Sequence, residues 1–89
     1  MQLPKVGERY RHYKSAGGMD HVYEIVGVAK HAEYNEPDDE SFIMVAYKPL
    51  YHSQVLEDYK LDFFVRPLSL FWSEVEHGGK MVPRFTKVD

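Results

Sequence analysis

The chain contains no cysteine, and this absence excludes several classes of protein at once. Without thiols there are no disulfides, no cysteine–zinc sites, no iron–sulfur ligands and no thiol nucleophile. Long apolar runs are also missing: no stretch approaches the roughly 20 residues that span a bilayer, and the first residues, MQLPKVGERYRH, lack the apolar core of a signal peptide. We therefore expect a cytoplasmic protein without a membrane segment.

The sequence motifs of common enzymes are absent too. There is no GxSxG nucleophile elbow, P-loop, GxGxxG or HExxH, and the paired glycines at 17–18 and 78–79 are typical of turns. Histidines and carboxylates are numerous enough for acid–base catalysis, but spacing along the chain does not show whether any pair meets. The sequence therefore favours a non-enzymatic protein that needs no cofactor or metal ion, and it leaves catalysis open as an alternative.

A basic excess is also lacking. The net charge is −3, from 11 Lys and Arg against 14 Asp and Glu. Duplex-binding domains usually carry a basic excess, because phosphate neutralisation supplies most of their affinity. The charge is uneven, however: residues 1–30 have a balance of +2, residues 31–62 of −6 and residues 63–89 of +1. The total argues against duplex binding, while the basic ends leave room for a local anion-binding surface.

The sequence does contain ample apolar material for one small domain. Its 89 residues are 44% apolar and include seven Tyr, five Phe and one Trp. This length suits a single domain spanning residues 1–89. Within it we expect residues 1–8 to form an N-terminal arm and residues 33–41 to form an acidic loop. That loop is interrupted by Pro37 and lacks the glycine of a calcium-binding EF-hand loop, so a solvated loop is the simpler interpretation.

Segments rich in β-branched and aromatic residues predict about five short strands. Residues 21–31 form the longest, with apolar residues on both faces and Gly27 where a long strand commonly bulges or bends. A long, bent strand that is partly buried on both faces is typical of small barrels. The other predicted strands cover residues 9–14, 42–47, 63–66 and one short stretch of 81–88.

One helix is predicted over residues 69–77, with Ser69 as its N-cap and the glycines 78–79 as its stop. Its apolar stripe, at positions i, i+3, i+4 and i+7, consists of Leu68, Phe71, Trp72 and Val75. Residues 52–62 fit a hairpin extension, a loop or a helical turn equally well. The expected fold is mainly β: a small SH3-like open barrel or roll of about five strands, with one short helix in the C-terminal half.

Candidate binding residues lie in segments that combine cations with aromatic rings, of which residues 9–14 (RYRHYK) are the clearest. Arginine offers a planar fork to a carboxylate or phosphate, and Tyr or His offers a face for stacking. The residues we expect to form a common site are Arg11, His12, Tyr13, Tyr47, Arg66 and Arg84. The same segments also fit ordinary strands with inward-packed tyrosines and solvated arginines.

Three functions are open on the sequence alone. The first is a non-catalytic binding module whose partner is an anionic small molecule, a nucleotide, a peptide or single-stranded nucleic acid. The second is a small hydrolase-type enzyme, which needs His12 or His31 within hydrogen-bond reach of a carboxylate. The third is a structural, self-associating domain, because an open barrel leaves strand edges that can pair between chains. We expect a monomer or a weak homodimer.

Five blocks of the sequence, taken in order, resemble one known family. They are YRHYK at 10–14, VYEIVGVAKH at 22–31, YKPLY at 47–51, VRPL at 65–68 with Phe71, and VPRF at 82–85. Together they are similar to domain of unknown function 1653, a family of small bacterial proteins, over residues 7–85. The resemblance implies an SH3-type barrel and transfers no activity and no catalytic residues. Residues 33–41 and 52–62 are longer than in the family's pattern.

Overall fold

The computed structural model describes residues 2–33 and 42–88, and it confirms a mainly β fold. The described strands form one five-stranded and one two-stranded antiparallel sheet, joined by two short helices. In chain order the elements are β1 (Arg9–His12), β2 (Val22–Lys30), β3 (Ile43–Pro49), α1 (Gln54–Tyr59), β4 (Phe64–Pro67), α2 (Leu68–Phe71), β5 (Glu74–His77), β6 (Lys80–Pro83) and β7 (Phe85–Val88). The predicted acidic loop, apart from Glu33, lies outside the described residues.

The five-stranded sheet has the order β4-β3-β2-β1-β7, and each pair of neighbours is antiparallel. Within the described residues no ladder joins β4 to β7, so the sheet is not closed into a barrel. The two edge strands nevertheless approach each other, because the guanidinium carbon of Arg66 on β4 lies 5.3 Å from the ring centroid of Phe85 on β7. The sheet is thus strongly curled and open along one side, as the open-barrel prediction required.

The long strand β2 carries the irregularity expected at Gly27. Ile25 is opposite Tyr47 and Gly27 is opposite Ala46, so Val26 is an extra residue without a partner in the ladder. A bulge of this kind bends a strand and increases its twist. The bulge therefore contributes to the curl that brings the two edges of the sheet together.

The core lies on the inner face of the curled sheet. Tyr10 on β1 and Tyr23 on β2 are directly opposite each other, and residues that are opposite in a ladder point to the same face. The buried cluster consists of Tyr10, Tyr23, Ile25, Val45, Tyr47, Leu68, Phe71 and Phe85. The short helix α2 covers one end of this face, where the ring of Phe71 stacks on Phe85 at 4.5 Å with an interplanar angle of 11°.

The N-terminal segment runs back along the sheet. The indole Nε1 of Trp72 donates a hydrogen bond to the carbonyl oxygen of Gln2 at 2.8 Å. Further along, the backbone N–H of Gly7 donates to the carbonyl of Ile25 at 3.0 Å. Trp72, which the sequence placed in an apolar stripe, is 36% exposed and holds this arm through its polar edge.

The prediction of a helix over residues 69–77 is wrong beyond its first turn. Helix α2 ends at Phe71, its N-cap position is Pro67 rather than Ser69, and residues 74–77 form β5. Val75 lies opposite Val82, and both side chains are half-buried. The segment EVEH also alternates with a period of two, and β6 supplies the partner that a strand needs. The tail accordingly contributes two strands, β6 and β7, where one was predicted.

The segment left open at 52–62 contains the helix α1. The hydroxyl of Ser53 caps it by accepting a hydrogen bond from the backbone N–H of Leu56 at 3.4 Å, and Leu56 is its buried residue. Lys60 ends the helix in the left-handed conformation, with φ of 55°. Neither helix in the described part of the chain is long and apolar enough to cross a membrane.

The turn between β5 and β6 gives a first testable expectation. Gly78 and Gly79 have φ of 62° and 79°, which fits a tight two-residue hairpin turn. Gly79→Ala should weaken the hairpin by about 1–2 kcal/mol, because an L-residue is disfavoured in the left-handed region. We expect amide hydrogen exchange in β5 and β6 to accelerate roughly 5- to 30-fold.

Gly27→Ala is the matched control for this turn variant. Gly27 lacks a positive φ, and a methyl group added there meets no atom within 4 Å. Exchange in β5 and β6 should therefore match that of the unmodified protein. Unchanged exchange in the Gly79→Ala variant would contradict the described turn.

Candidate anion-binding site at the open side of the sheet

A cavity of about 250 Å³ lies on the inner face of the curled sheet, at its open side. Its wall contains residues from all five strands of this sheet and two residues that lie just outside strands. The lining residues are His12, Lys14, His21, Tyr23, Tyr47, Phe64, Arg66 and Phe85. The described wall therefore combines four aromatic residues with four basic ones, and no carboxylate of the described residues belongs to it.

The registers of the ladders explain why these side chains converge. His12 is opposite Phe85 across β1 and β7, and Tyr47 is opposite Phe64 across β3 and β4. Arg66 is two residues beyond Phe64, and alternation in a strand places both on the same face. The curl of the sheet then brings the His12–Phe85 pair and the Tyr47–Phe64 pair together around the cavity.

Arg66 contributes the most unusual polar atom of the cavity. Its guanidinium lies over the ring of Phe85, and its Nη1 is buried without a hydrogen-bond partner among the described residues. Buried polar groups normally have a partner, and leaving a charged donor without one is costly. Because Arg66 lines the cavity, a small shift of its guanidinium toward an acceptor there would give Nη1 a partner and remove that cost.

His12 lines the cavity as a neutral donor. Its Nδ1 accepts a hydrogen bond from the backbone N–H of Lys14 at 3.3 Å, so the neutral ring carries its proton on Nε2. Burial, followed by the charges of Arg66, His21 and Arg84, lowers the pKa of His12 from 6.5 to about 4. At neutral pH this ring therefore offers an N–H without adding a positive charge.

The tyrosine hydroxyls of the cavity also stay neutral. Burial raises the pKa of Tyr47 even though Arg66 acts in the opposite direction. Burial and a hydrogen bond to the Tyr51 hydroxyl, at 2.7 Å between the two oxygens, raise the pKa of Tyr23. Tyr23 is engaged with Tyr51, whereas the Tyr47 side chain interacts with Arg66, so that Tyr47 and Arg66 lie together at the wall.

His21 provides a histidine–carboxylate contact at the wall. Its Nδ1 lies 2.9 Å from Oδ1 of Asp20, although the atoms lack the alignment of a hydrogen bond. The hydrolase hypothesis named His12 or His31 for such a contact, and at this wall the structure places His21 in one. No serine, threonine or cysteine among the described residues lines the cavity beside it. Nor do any three potential metal ligands of the described residues form a group that could hold an ion.

The structure brings three of the six predicted site residues together. His12, Tyr47 and Arg66 all line the cavity. Tyr13 stands beside them, with its ring centroid 4.6 Å from that of His12. Arg84 acts at a longer range, because its charge contributes to the lowered pKa of His12.

Arg11 lies apart from the other predicted residues. It is an exposed residue of β1 between Tyr10 and His12, so alternation turns it to the outer face of the sheet. Its Nη2 donates to the carbonyl of Gly18 at 3.3 Å. Five lining residues were missed: Lys14, His21, Tyr23, Phe64 and Phe85. For Phe64 and Phe85 the missing information was the register that sets them opposite Tyr47 and His12.

Comparison with known proteins gives a family and no closer relative. A family model described as Protein of unknown function (DUF1653) matches residues 8–87, almost the whole chain. No curated protein and no solved structure matches. The match agrees with the five blocks on which the sequence resemblance rests. The chain belongs to the DUF1653 family.

Proposed function

We propose that this protein is a binding module that holds an anionic group of a small ligand in the cavity, with Arg66 as the principal contact. The observation that carries the proposal is the buried Nη1 of Arg66, which has no hydrogen-bond partner among the described residues. None of the described residues that line the cavity carries a carboxylate. A ligand oxygen at that atom would complete its hydrogen bonding. Charge-assisted hydrogen bonds of this kind are stronger than bonds between neutral groups.

The neighbouring side chains supply further donors and a surface for the rest of the ligand. His12, Tyr47 and Lys14 belong to the same wall, and each can donate a hydrogen bond. The rings of Phe64 and Phe85 form its apolar part. Small-molecule sites commonly combine aromatic rings with a few directed polar groups in this way.

The volume of the cavity bears on the size of the ligand. About 250 Å³ corresponds to roughly eight water molecules of liquid volume. A small molecule fits entirely within such a space, whereas a nucleotide, a peptide or a nucleic acid strand could place only one end in it. The proposal therefore favours the small anionic molecule among the partners considered from the sequence.

Binding of simple anions to variants of two arginines tests the proposal. We would titrate ¹⁵N-labelled protein with phosphate and with acetate at constant ionic strength, and follow the backbone amides of His12, Lys14 and Arg66. Saturable shifts are expected in the unmodified protein. Arg66→Gln should weaken binding about 10-fold or more, since a hydrogen bond to a charged group contributes about 1.5–3 kcal/mol.

Arg11→Gln is the matched control, because it removes the same charge from the outer face of the sheet. We expect its affinity for either anion to stay within about twofold of the unmodified protein. If both variants bind equally weakly, only the total charge matters and the proposed site is wrong. The same conclusion follows if Arg66→Gln binds as tightly as the unmodified protein.

A further inference from the structure

We propose that the anionic group held at Arg66 is the doubly charged phosphate of a small phosphate monoester. This inference rests on the proposed function and narrows it to one class of ligand. Three features of the cavity support it: the balance of charge around it, the donors in its wall and the aromatic surface beside them.

Positive charge at the cavity is not compensated by carboxylates of the described residues. Arg66 and Lys14 belong to the wall, and Arg84 is near enough to lower the pKa of His12. None of these three cations forms an ion pair with a carboxylate of the described residues. Asp20 lies against His21, which also lines the cavity, with Oδ1 at 2.9 Å from Nδ1.

Several cations elsewhere on the sheet form ion pairs with carboxylates. On the outer face Arg9 and Lys48 both contact Glu24, at 3.4 and 3.5 Å. Lys87 contacts Glu8 at 2.9 Å. These three cations are neutralised by carboxylates, whereas Arg66, Lys14 and Arg84 are not neutralised by any described carboxylate. A phosphate monoester carries a charge of about −1.5 to −2 at pH 7 and matches this unneutralised charge better than a carboxylate does.

The wall has enough donor residues for every oxygen of a phosphate. Arg66, His12, Tyr47 and Lys14 all line the cavity and can each donate a hydrogen bond. A phosphate monoester presents three terminal oxygens as strong acceptors, whereas a carboxylate presents two. Neutral His12 and Tyr47 add hydrogen bonds without adding charge, so that Arg66 and Lys14 set the charge of the site.

The aromatic part of the wall indicates what the phosphate is attached to. Tyr23, Phe64 and Phe85 surround the same space, whose volume of about 250 Å³ limits the substituent beside the phosphate to about the size of one ring. Rings of this kind pack well against an apolar or aromatic group. Phenyl phosphate combines both parts and is therefore a suitable probe.

Three ligands with the same ring test the inference by isothermal titration calorimetry at pH 7.5. Phenyl phosphate carries the doubly charged head group, benzoate replaces it with a carboxylate, and methyl phenyl phosphate keeps the phosphorus but only one charge. We expect phenyl phosphate to bind at least 10-fold more tightly than either of the others. Arg66→Gln should reduce that affinity about 10-fold or more, and Arg11→Gln should leave it within about twofold.

Two other results would contradict the phosphate inference, and they differ in whether the proposed function survives. If benzoate or methyl phenyl phosphate binds as tightly as phenyl phosphate, the phosphate monoester assignment is wrong while anion binding at Arg66 stands. If none of the three ligands binds at millimolar concentration, and phosphate and acetate also fail, both this inference and the proposed function are wrong.

Discussion

Phe71→Ala is expected to lower the free energy of unfolding by about 3–5 kcal/mol. Phe71 is 1% exposed and lies at the centre of the aromatic core. Its ring stacks on Phe85 and meets Tyr10 and Trp72 edge-on at 5.1 and 5.0 Å. Truncation removes these contacts and leaves a cavity beneath α2. Urea unfolding followed by circular dichroism measures the loss.

The same helix supplies a control for this variant. Leu70 is the neighbouring residue of α2 and is 48% exposed. Leu70→Ala should cost less than about 1 kcal/mol, because it leaves no buried cavity. A domain of this size is stable by only about 4–13 kcal/mol, so Phe71→Ala can leave too little folded protein to measure. Phe71→Leu, expected to cost about 1–2 kcal/mol, then preserves the comparison. Equal losses at positions 70 and 71 would contradict the described core.

Acid is expected to destabilise the protein through His12. Its pKa is about 4 in the folded protein against an ordinary value of 6.5, because it is buried beside Arg66. Above pH 6.5 the ring is neutral in both states and its full contribution to stability is present. Below pH 6.5 the unfolded chain binds a proton that the folded protein refuses, so stability falls until about pH 4.

His12→Asn separates this effect from other titrations. The side-chain oxygen of Asn can replace Nδ1 as acceptor for the backbone N–H of Lys14, but it does not titrate in this range. Between pH 7 and pH 4 the variant should lose about 1–2 kcal/mol less stability than the unmodified protein, with allowance for partial exposure of the ring. Unfolding curves at five or six pH values measure the difference.

Glu8 does not interfere with this comparison. A hydrogen bond from Lys87, together with the backbone N–H of Lys5, lowers the pKa of Glu8 to about 2. Its contribution is lost progressively as the pH falls from about 4.5, its ordinary pKa, to about 2. Because this loss is the same in the unmodified protein and in His12→Asn, it cancels from the comparison. Parallel pH profiles for the unmodified protein and His12→Asn would show that the ring is not buried as described.

The fold was predictable wherever local pattern and tertiary context agree. The bulge at Gly27 follows from a glycine inside a long strand with apolar residues on both faces. The wrong helix prediction over residues 69–77 also has a local origin, because the apolar pattern of EVEH fits the period of two of a strand as well as that of a helix. Only the presence of β6, with Val82 opposite Val75, decides between them. A hairpin partner across a glycine turn is tertiary information that periodicity does not contain.

The candidate site was likewise predictable only in its local features. Arg66 could be chosen for its chemistry, and its strand could be recognised from the sequence. Its position over Phe85 depends on the curl of the sheet, which joins two edges that are remote in the ladder order. Arg11 and His12 illustrate a rule that was available: adjacent strand residues face opposite sides, so both cannot line one cavity.

A crystal structure of the protein with saturating phenyl phosphate tests the central claim most directly, because it locates the anion. We predict phosphate oxygens within hydrogen-bond distance of Nη1 of Arg66 and Nε2 of His12, with the phenyl ring against Phe64 or Phe85. A phosphate bound elsewhere on the surface, or a cavity that contains only solvent at saturating ligand, would contradict the account.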